Sequence, residues 1–177
     1  PPPPPVFNQP ATTDINTLTQ HDALPNSLAA VDLAPEAVEA ARNNAARLEM
    51  TDRVAVYLGD LWDALDPAAS FDAVVANPPY IPHGELPTLP REILNHEPRM
   101  ALDGGPDGLD VYRRIMSGLE RHLRPGGLLA LEHGADQADH LTVLARQAGL
   151  IAIEDRTDLA GRPRVLLARR GVFPAAV

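Results

Sequence analysis

Residues 71–82 read FDAVVANPPYIP. Phe71 to Ala76 are expected to form a short buried strand, because Ala73, Val74, Val75 and Ala76 are continuous and apolar. The strand then stops on an amide, two residues without an N–H, and an aromatic ring. Pro78 restricts Asn77 to an extended backbone, and Pro79 does the same to Pro78. The Asn77 side-chain oxygen and the Pro78 carbonyl are thereby preset as acceptors, with no proline N–H to compete for them. Two fixed acceptors suit a planar NH2 group. Its lone pair is delocalised, so it is a poor nucleophile whose two N–H bonds must be held. Tyr80 supplies a flat wall against that plane. The pattern fits methyl transfer from a sulfonium donor, a reaction that needs alignment and desolvation more than a strong base. The competing reading is a plain strand-ending turn, where Asn and Pro are common.

Outward from this stretch the chain alternates strands and helices. LAAVDL (28–33) reads as an apolar strand ending in Asp32. Residues 35–48 follow as a helix with Pro35 in its first turn and Val38, Ala41, Ala45 and Leu48 on one face. RVAVYL (53–58) is a second strand, ending at Gly59-Asp60, and 71–77 a third. Residues 81–108, rich in Pro and Gly, are expected to form one long loop. The helix at 108–123 should turn Leu109, Tyr112, Ile115, Met116 and Leu119 inward. RPGG (124–127) reads as a turn, LLALEHG (128–134) as a fourth strand, and 136–149 as another amphipathic helix. Residues 150–170 read as two strands joined near Gly161. This order predicts an open α/β sheet with right-handed connections.

In such sheets ligands bind at the carboxyl ends of the strands. Asp32, Asp60 and Asn77 stand there. A strand-end carboxylate grips ribose hydroxyls, because two oxygens match a vicinal diol. Helix capping competes for Asp32, but the cap position is Ala34, so Asp32 is expected to be free of that task. Asp60 could accept from an adenine amine, with Leu61 or Trp62 lining the ring; an ordinary loop acid fits equally.

Composition narrows the classes. The chain has 177 residues, 45% of them hydrophobic, enough for one ordinary domain. A net charge of −9 argues against broad electrostatic capture of nucleic acid. There is no cysteine, which removes thiol catalysis, disulfides and thiolate metal sites and fits the cytoplasm. No apolar run approaches a membrane span, and no signal peptide is visible. No histidine or carboxylate spacing suggests a metal site. Residues 1–27 stand apart: they lack any period, and ATTDINTLTQHDALP (11–25) resembles the conceptual translation of a sequencing adapter. That segment is expected to be an unstructured, artefactual tail, leaving 28–177 as the catalytic domain.

The stretch NPPYIPHGELPTLPREILNHEPRMALDGGPDGLDVYRRI (77–115) resembles the HemK/PrmC family. That family consists of S-adenosylmethionine-dependent methyltransferases acting on the N(5) amide of glutamine in the GGQ motif of peptide chain release factors. NPPYIP, HEP, ALDGGPDGLD and the closing DLAGRPRVLLARR (158–170) carry the likeness, which spans about residues 28–170. It implies a Rossmann-like class I fold ending in an antiparallel hairpin. Asn77, Pro78, Pro79 and Tyr80 would hold the glutamine amide, with Asn77, Pro78 and Tyr80 catalytic. Asp32 would hold the donor's ribose, Asp60 and Leu61 would face its adenine, and Asn77 would also border the donor. Glu97, with Pro98, would lie on a loop near the substrate or be loop structure only. Glu132 and His133 would support the pocket floor. The family opens its catalytic domain with a strand and a glycine-rich D-x-G-x-G-x-G turn, preceded by a helical domain, and nothing here matches these. The chain is thus expected to be a C-terminal part whose sheet lacks a central strand between those ending at Asp32 and Asn77. Two other readings remain: a nucleic-acid amino-group methyltransferase (adenine-N(6) or guanine), and an inactive fragment.

Overall fold

Strands β1 (Leu28–Asp32) and β2 (Val54–Leu58) lie parallel, registered from Leu28 opposite Val54 to Asp32 opposite Leu58. Helix α1 (Pro35–Arg47) connects them and packs on both. Pro35 opens it, where a missing N–H leaves no hydrogen bond unmade. Glu36 in the first turn and Arg47 in the last complement the helix dipole. Val38 and Ala45 are buried. Leu48, expected on that face, is exposed instead: it is the C-cap, where the backbone leaves the helix and with it the helical period. The computed structural model describes residues 27–172, in two compact units that divide between Asp60 and Leu61 and are described separately below. The tail expected at 1–27 lies outside the described residues, apart from Ser27.

The second unit is a four-stranded sheet in the order β3-β4-β6-β5. β3 (Phe71–Ala76) pairs parallel with β4 (Leu123–Glu132). β6 (Pro163–Arg170) runs antiparallel to both β4 and β5 (Leu150–Thr157). The β5–β6 turn closes on Asp158, whose Oδ1 accepts from the N–H groups of Ala160 (2.8 Å) and Arg162 (3.0 Å). Helix α3 (Asp110–His122) precedes β4, and α4 (Ala138–Gln147) follows it. All five expected inward residues of α3 and its approach are buried. They meet Leu129 and Leu131 of β4, Leu141 and Ala145 of α4, and Leu166 and Ala168 of β6 in one core cluster. Each fully buried Leu there contributes about 1.5–3 kcal/mol of transfer free energy. No ladder joins β1 or β2 to β3 among the described residues.

Three expectations are corrected. β3 is not buried on both faces: Val75 is 76% exposed, and Asp72 and Ala73 are exposed too. β3 is an edge strand, bonded to β4 alone among the described residues, and one pleat face stays uncovered. The connection 81–108 is not one loop. It contains short 3-10 turns at Leu86–Thr88 and Arg99–Ala101 and a six-residue helix, α2 (Arg91–His96). Its prolines start these turns rather than merely break structure, with Pro90 and Pro98 at the N-caps of the last two. RPGG is not a separate turn but a bulge within β4. The register steps from Phe71–Leu123 to Ala73–Leu128, and Gly126 takes φ 79°. Among the described residues no helix is long and apolar enough to cross a membrane.

A 3-10 turn at Leu61–Ala64 seats the chain's single tryptophan on α3. The Trp62 indole N–H donates to the carbonyls of Arg114 (3.2 Å) and Ile115 (3.1 Å), and its ring stacks on His122 at 4.9 Å and 5°. At Gly118 a Cβ would lie 2.2 Å from Trp62 Nε1. Glycine inside a helix costs about 1 kcal/mol relative to alanine, but overpacking of this kind costs about 1–3 kcal/mol. Gly118→Ala is therefore expected to lower the stability of the protein, and to shift the Trp62 fluorescence, in a denaturant titration. A stabilised variant would mean that the Trp62 seat yields freely.

The long connection is tied to α3 by charge. Arg113 donates to Asp107 Oδ2 (2.5 Å) and Oδ1 (3.0 Å) and to Asp110 Oδ1 (2.9 Å). These bonds, chiefly from Arg113, hold the Asp107 carboxyl down at about 2. A depressed carboxylate contributes stability that is full above its ordinary value near 3.8 and is lost as pH falls through about 2. In Asp107→Asn the unfolding midpoint should therefore fall less steeply between pH 4 and pH 2, as read by circular dichroism. Identical pH profiles for the two proteins would show that the pair adds nothing.

Candidate functional site

In the first unit the carboxyl ends of β1 and β2 carry the two acids. Asp32 pairs with Leu58, and its carbonyl accepts from the Gly59 N–H at 3.0 Å, so Asp32 and Asp60 stand at the same edge of the parallel pair. Asp32 is exposed, and Asp60 is half-buried. Asp32 was expected to be free of the helix start, and it is only partly so. It does not cap α1, whose N-cap is Ala34, but its Oδ1 accepts from the Ala34 N–H at 2.8 Å. One oxygen thus braces the turn and orients the carboxylate, and Oδ2 has no hydrogen-bond partner among the described residues.

The second unit begins at Leu61, which takes φ 48°. A left-handed conformation costs a non-glycine residue about 1–2 kcal/mol, and such residues gather at ligand sites. The Leu61 side chain packs against the α3–β4 core. Trp62, expected as an alternative wall for the ring, is fastened to α3. Its N–H is taken by two carbonyls of α3 and one ring face lies on His122, so it anchors the turn.

The Asn77–Tyr80 turn leaves β3 opposite the end of β4, since Ala76 pairs with Leu131. Pro78 is buried, Pro79 and Tyr80 are half-buried, and Asn77 is exposed. The Asn77 side chain makes no hydrogen bond among the described residues, so its oxygen remains available. The Tyr80 backbone, by contrast, is enclosed. A Cβ at Gly104 would lie 2.8 Å from Tyr80 Cα. At Gly108, which takes φ 74°, it would lie 2.4 Å from the Tyr80 carbonyl oxygen. These two glycines of ALDGGPDGLD are required because the Tyr80 backbone occupies the space of a side chain. The zipper continues: Ile81 N–H donates to the Leu102 carbonyl (3.0 Å), Gly104 N–H to Ile81 (2.9 Å), and His83 N–H to Gly105 (2.8 Å).

Side chains from the far side of the sheet complete the support. The Tyr80 carbonyl accepts from Gln137 Nε2 at 3.0 Å. His133, fully buried, aims Nδ1 at the Gly134 carbonyl and Nε2 at Asp155 Oδ2, both at 2.8 Å, and its own carbonyl accepts from Arg164. Both of its ring nitrogens are therefore engaged. The Glu132 carbonyl accepts from the buried Tyr112 hydroxyl at 2.7 Å. Burial pushes the Tyr112 hydroxyl well above its ordinary value, so it remains a donor. Asp103 takes part in the zipper: the Gly105 N–H, more than His83 beside it, holds its carboxyl below the usual range. Glu97 is the exposed residue after α2, and no hydrogen bond or ion pair joins it to Asn77–Tyr80 among the described residues. Sequence reasoning missed Gln137, Gly104, Gly108 and Tyr112 as supports of the turn. The two glycines that pack on Tyr80 gave a signal in ALDGGPDGLD; Gln137 gave none.

A family model described as UPF0020, RMKL-like, methyltransferase domain matches residues 7–85. The release factor glutamine methyltransferase of Moorella thermoacetica is 49% identical over 142 residues, 80% of this chain and 50% of that protein. Its counterpart from Clostridium acetobutylicum is 43% identical over 141 residues, 79% of this chain and 50% of that protein. Among solved structures, a methyltransferase from Pyrococcus furiosus superposes with a TM-score of 0.57 at 18% identity, covering 90% of this chain and 70% of that one. The fold is that of a partial Rossmann-like, class I methyltransferase. The chain spans about half the length of the curated relatives it matches, and over that half it is similar to release factor glutamine methyltransferases.

Proposed function

We propose that this chain, in the cytoplasm, transfers a methyl group from S-adenosyl-L-methionine to the side-chain amide of the glutamine in the GGQ motif of peptide chain release factors. The observation that carries this reading is the Asn77–Tyr80 turn. Its backbone is locked by Gly104, Gly108 and Gln137, while the Asn77 oxygen stays exposed and unengaged among the described residues. Asn77 Oδ1 accepts one N–H of the substrate amide and the Pro78 carbonyl accepts the other. Pro79 keeps that carbonyl fixed, and the Tyr80 ring bounds the amide plane. Asp32 and Asp60, both acceptors at one end of the parallel pair, fit a ribose diol and an adenine amine. Glu97 belongs to the substrate side. The donor supplies the methyl group and leaves as a thioether, while the amide nitrogen gains the methyl and releases a proton. No side chain must act as a strong base; alignment of this kind is worth up to about 7–11 kcal/mol.

The reading is tested by incubating the chain with labelled donor and either a release factor or duplex DNA, with mass spectrometry of the GGQ peptide. Methylated glutamine is expected. Label on DNA alone would assign the nucleic-acid reading, which the net charge of −9 disfavours. Absence of turnover together with absence of calorimetric donor binding would assign the inactive fragment. Asn77→Ala removes one of two acceptors, which costs about 1–3 kcal/mol before any misalignment, so turnover should fall about tenfold or more. Donor affinity should change far less. Asn77→Asp should also be poor, because it sets a charge where the clamp is neutral. A glutamine methylated by Asn77→Ala at the parental rate would reduce NPPY to a strand-ending turn.

A further inference from the structure

Gln137 is 6% exposed, and its carboxamide uses three of its hydrogen-bonding positions. Nε2 donates to the Tyr80 carbonyl at 3.0 Å and to the Gly108 carbonyl at 3.2 Å, and Oε1 accepts from the Gly134 N–H at 3.0 Å. Resting on the function proposed above, we propose that Gln137 is a positioning residue for methyl transfer: it sets the direction in which the Asn77–Tyr80 turn leaves β3, and so where the two amide acceptors stand.

The demand at this point is unusual. Two carbonyls need donors and one N–H needs an acceptor, all within reach of a single buried side chain. Only a carboxamide offers two donors and an acceptor in one plane. Asparagine is one methylene shorter. Glutamate keeps the acceptor but would bring a carboxylate against two carbonyl oxygens. Gln137 is itself fixed: its N–H donates to the Gly134 carbonyl (3.0 Å), and its carbonyl accepts from the Leu141 N–H (2.9 Å) at the start of α4. Gly108 cannot carry a side chain, because its Cβ would lie 2.7 Å from Gln137 Nε2. The constraint reaches the clamp through stiff bonds. Between the Pro78 carbonyl and Tyr80 Cα the peptide planes are rigid and the ring locks φ of Pro79, so one soft dihedral remains. With Tyr80 Cα packed against Gly104 and the Tyr80 carbonyl pinned by Gln137, the Pro78 carbonyl is held one soft dihedral from a restrained atom.

The test uses Gln137→Glu, which keeps the acceptor and removes both donors, and Gln137→Met, which keeps length and removes both functions. Amide hydrogen exchange on each chain needs neither donor nor substrate. Exchange at Ile81, His83 and Gly104 is expected to quicken by about tenfold or more, with the β5–β6 ladder unchanged, as local opening predicts. In the methylation assay kcat should fall about tenfold while KM for S-adenosylmethionine stays within a factor of about three, the signature of lost alignment rather than lost donor binding. Exchange that is unchanged at those three amides, or faster everywhere alike, overturns the proposal. So does a parental kcat in Gln137→Glu. If the unaltered chain methylates nothing, the proposed function fails on its own account, and the exchange data still decide the role of Gln137.

Discussion

Two adjacent prolines remove two backbone donors from the turn that ends β3, and much of the second unit is arranged around that deficit. A turn closes on itself by N–H to carbonyl bonds, and Pro78 and Pro79 have no N–H to give. The turn must therefore be held from outside. Ile81 and Asp103 form a short parallel bridge, with bonds from Ile81 to Leu102 and from Gly104 back to Ile81. Close approach of this second segment to Tyr80 then demands glycine at 104 and 108. The Tyr80 carbonyl, which the bridge does not reach, is met by Gln137 from the start of α4. Proline pair, glycine-rich loop and buried carboxamide answer one requirement.

The two ends of β3 are held by different physics. At the start, Arg124 donates to both oxygens of Asp72 at 2.6 and 2.7 Å, an exposed bidentate pair. Exposed pairs of this kind contribute about 0–1 kcal/mol and weaken with salt. At the far end the bonds are neutral and buried, from Gln137 and between backbone groups. Among the described residues no buried side-chain nitrogen or oxygen lacks a partner. Breaking one such bond leaves a desolvated group unpaired, at about 1–3 kcal/mol. The functional end of an edge strand is thus held more firmly than its exposed position suggests.

What sequence shows here depends on how far a residue's partners lie along the chain. The inward stripe of α3, from Tyr112 to Leu119, is a local periodicity, and every member proved buried. The acids at the ends of β1 and β2 were legible for the same reason: each follows its own apolar run. The seat of Trp62 was not legible, because its partners, Arg114 and Ile115, lie more than fifty residues away in α3. Gln137 was invisible on the same ground, with Tyr80 at a separation of 57. Leu61 in a left-handed conformation gives no mark in the sequence, because leucine is not a residue chosen for such a backbone. β3 was expected to be covered on both faces because a continuous apolar run says nothing of how many strands flank it. Val75 shows the difference.

A clamp of neutral acceptors also suits the chemistry proposed for it. The amide nitrogen is weakly nucleophilic, so what the protein can contribute is geometry, and geometry requires that the acceptors not move. A carboxylate at position 77 would accept a hydrogen bond more strongly. It would also stand beside a cationic sulfonium and attract it, rewarding the bound state before transfer rather than the transition state, in which that charge is dispersing. Neutral acceptors avoid that attraction, but without charge their effect depends wholly on placement. Placement in turn depends on the stiffness of Asn77-Pro78-Pro79 and on the bonds that hold Tyr80. The motif and its distant supports are therefore one device: the prolines make the acceptors rigid with respect to Tyr80, and Gln137 with the two glycines makes Tyr80 rigid with respect to the sheet.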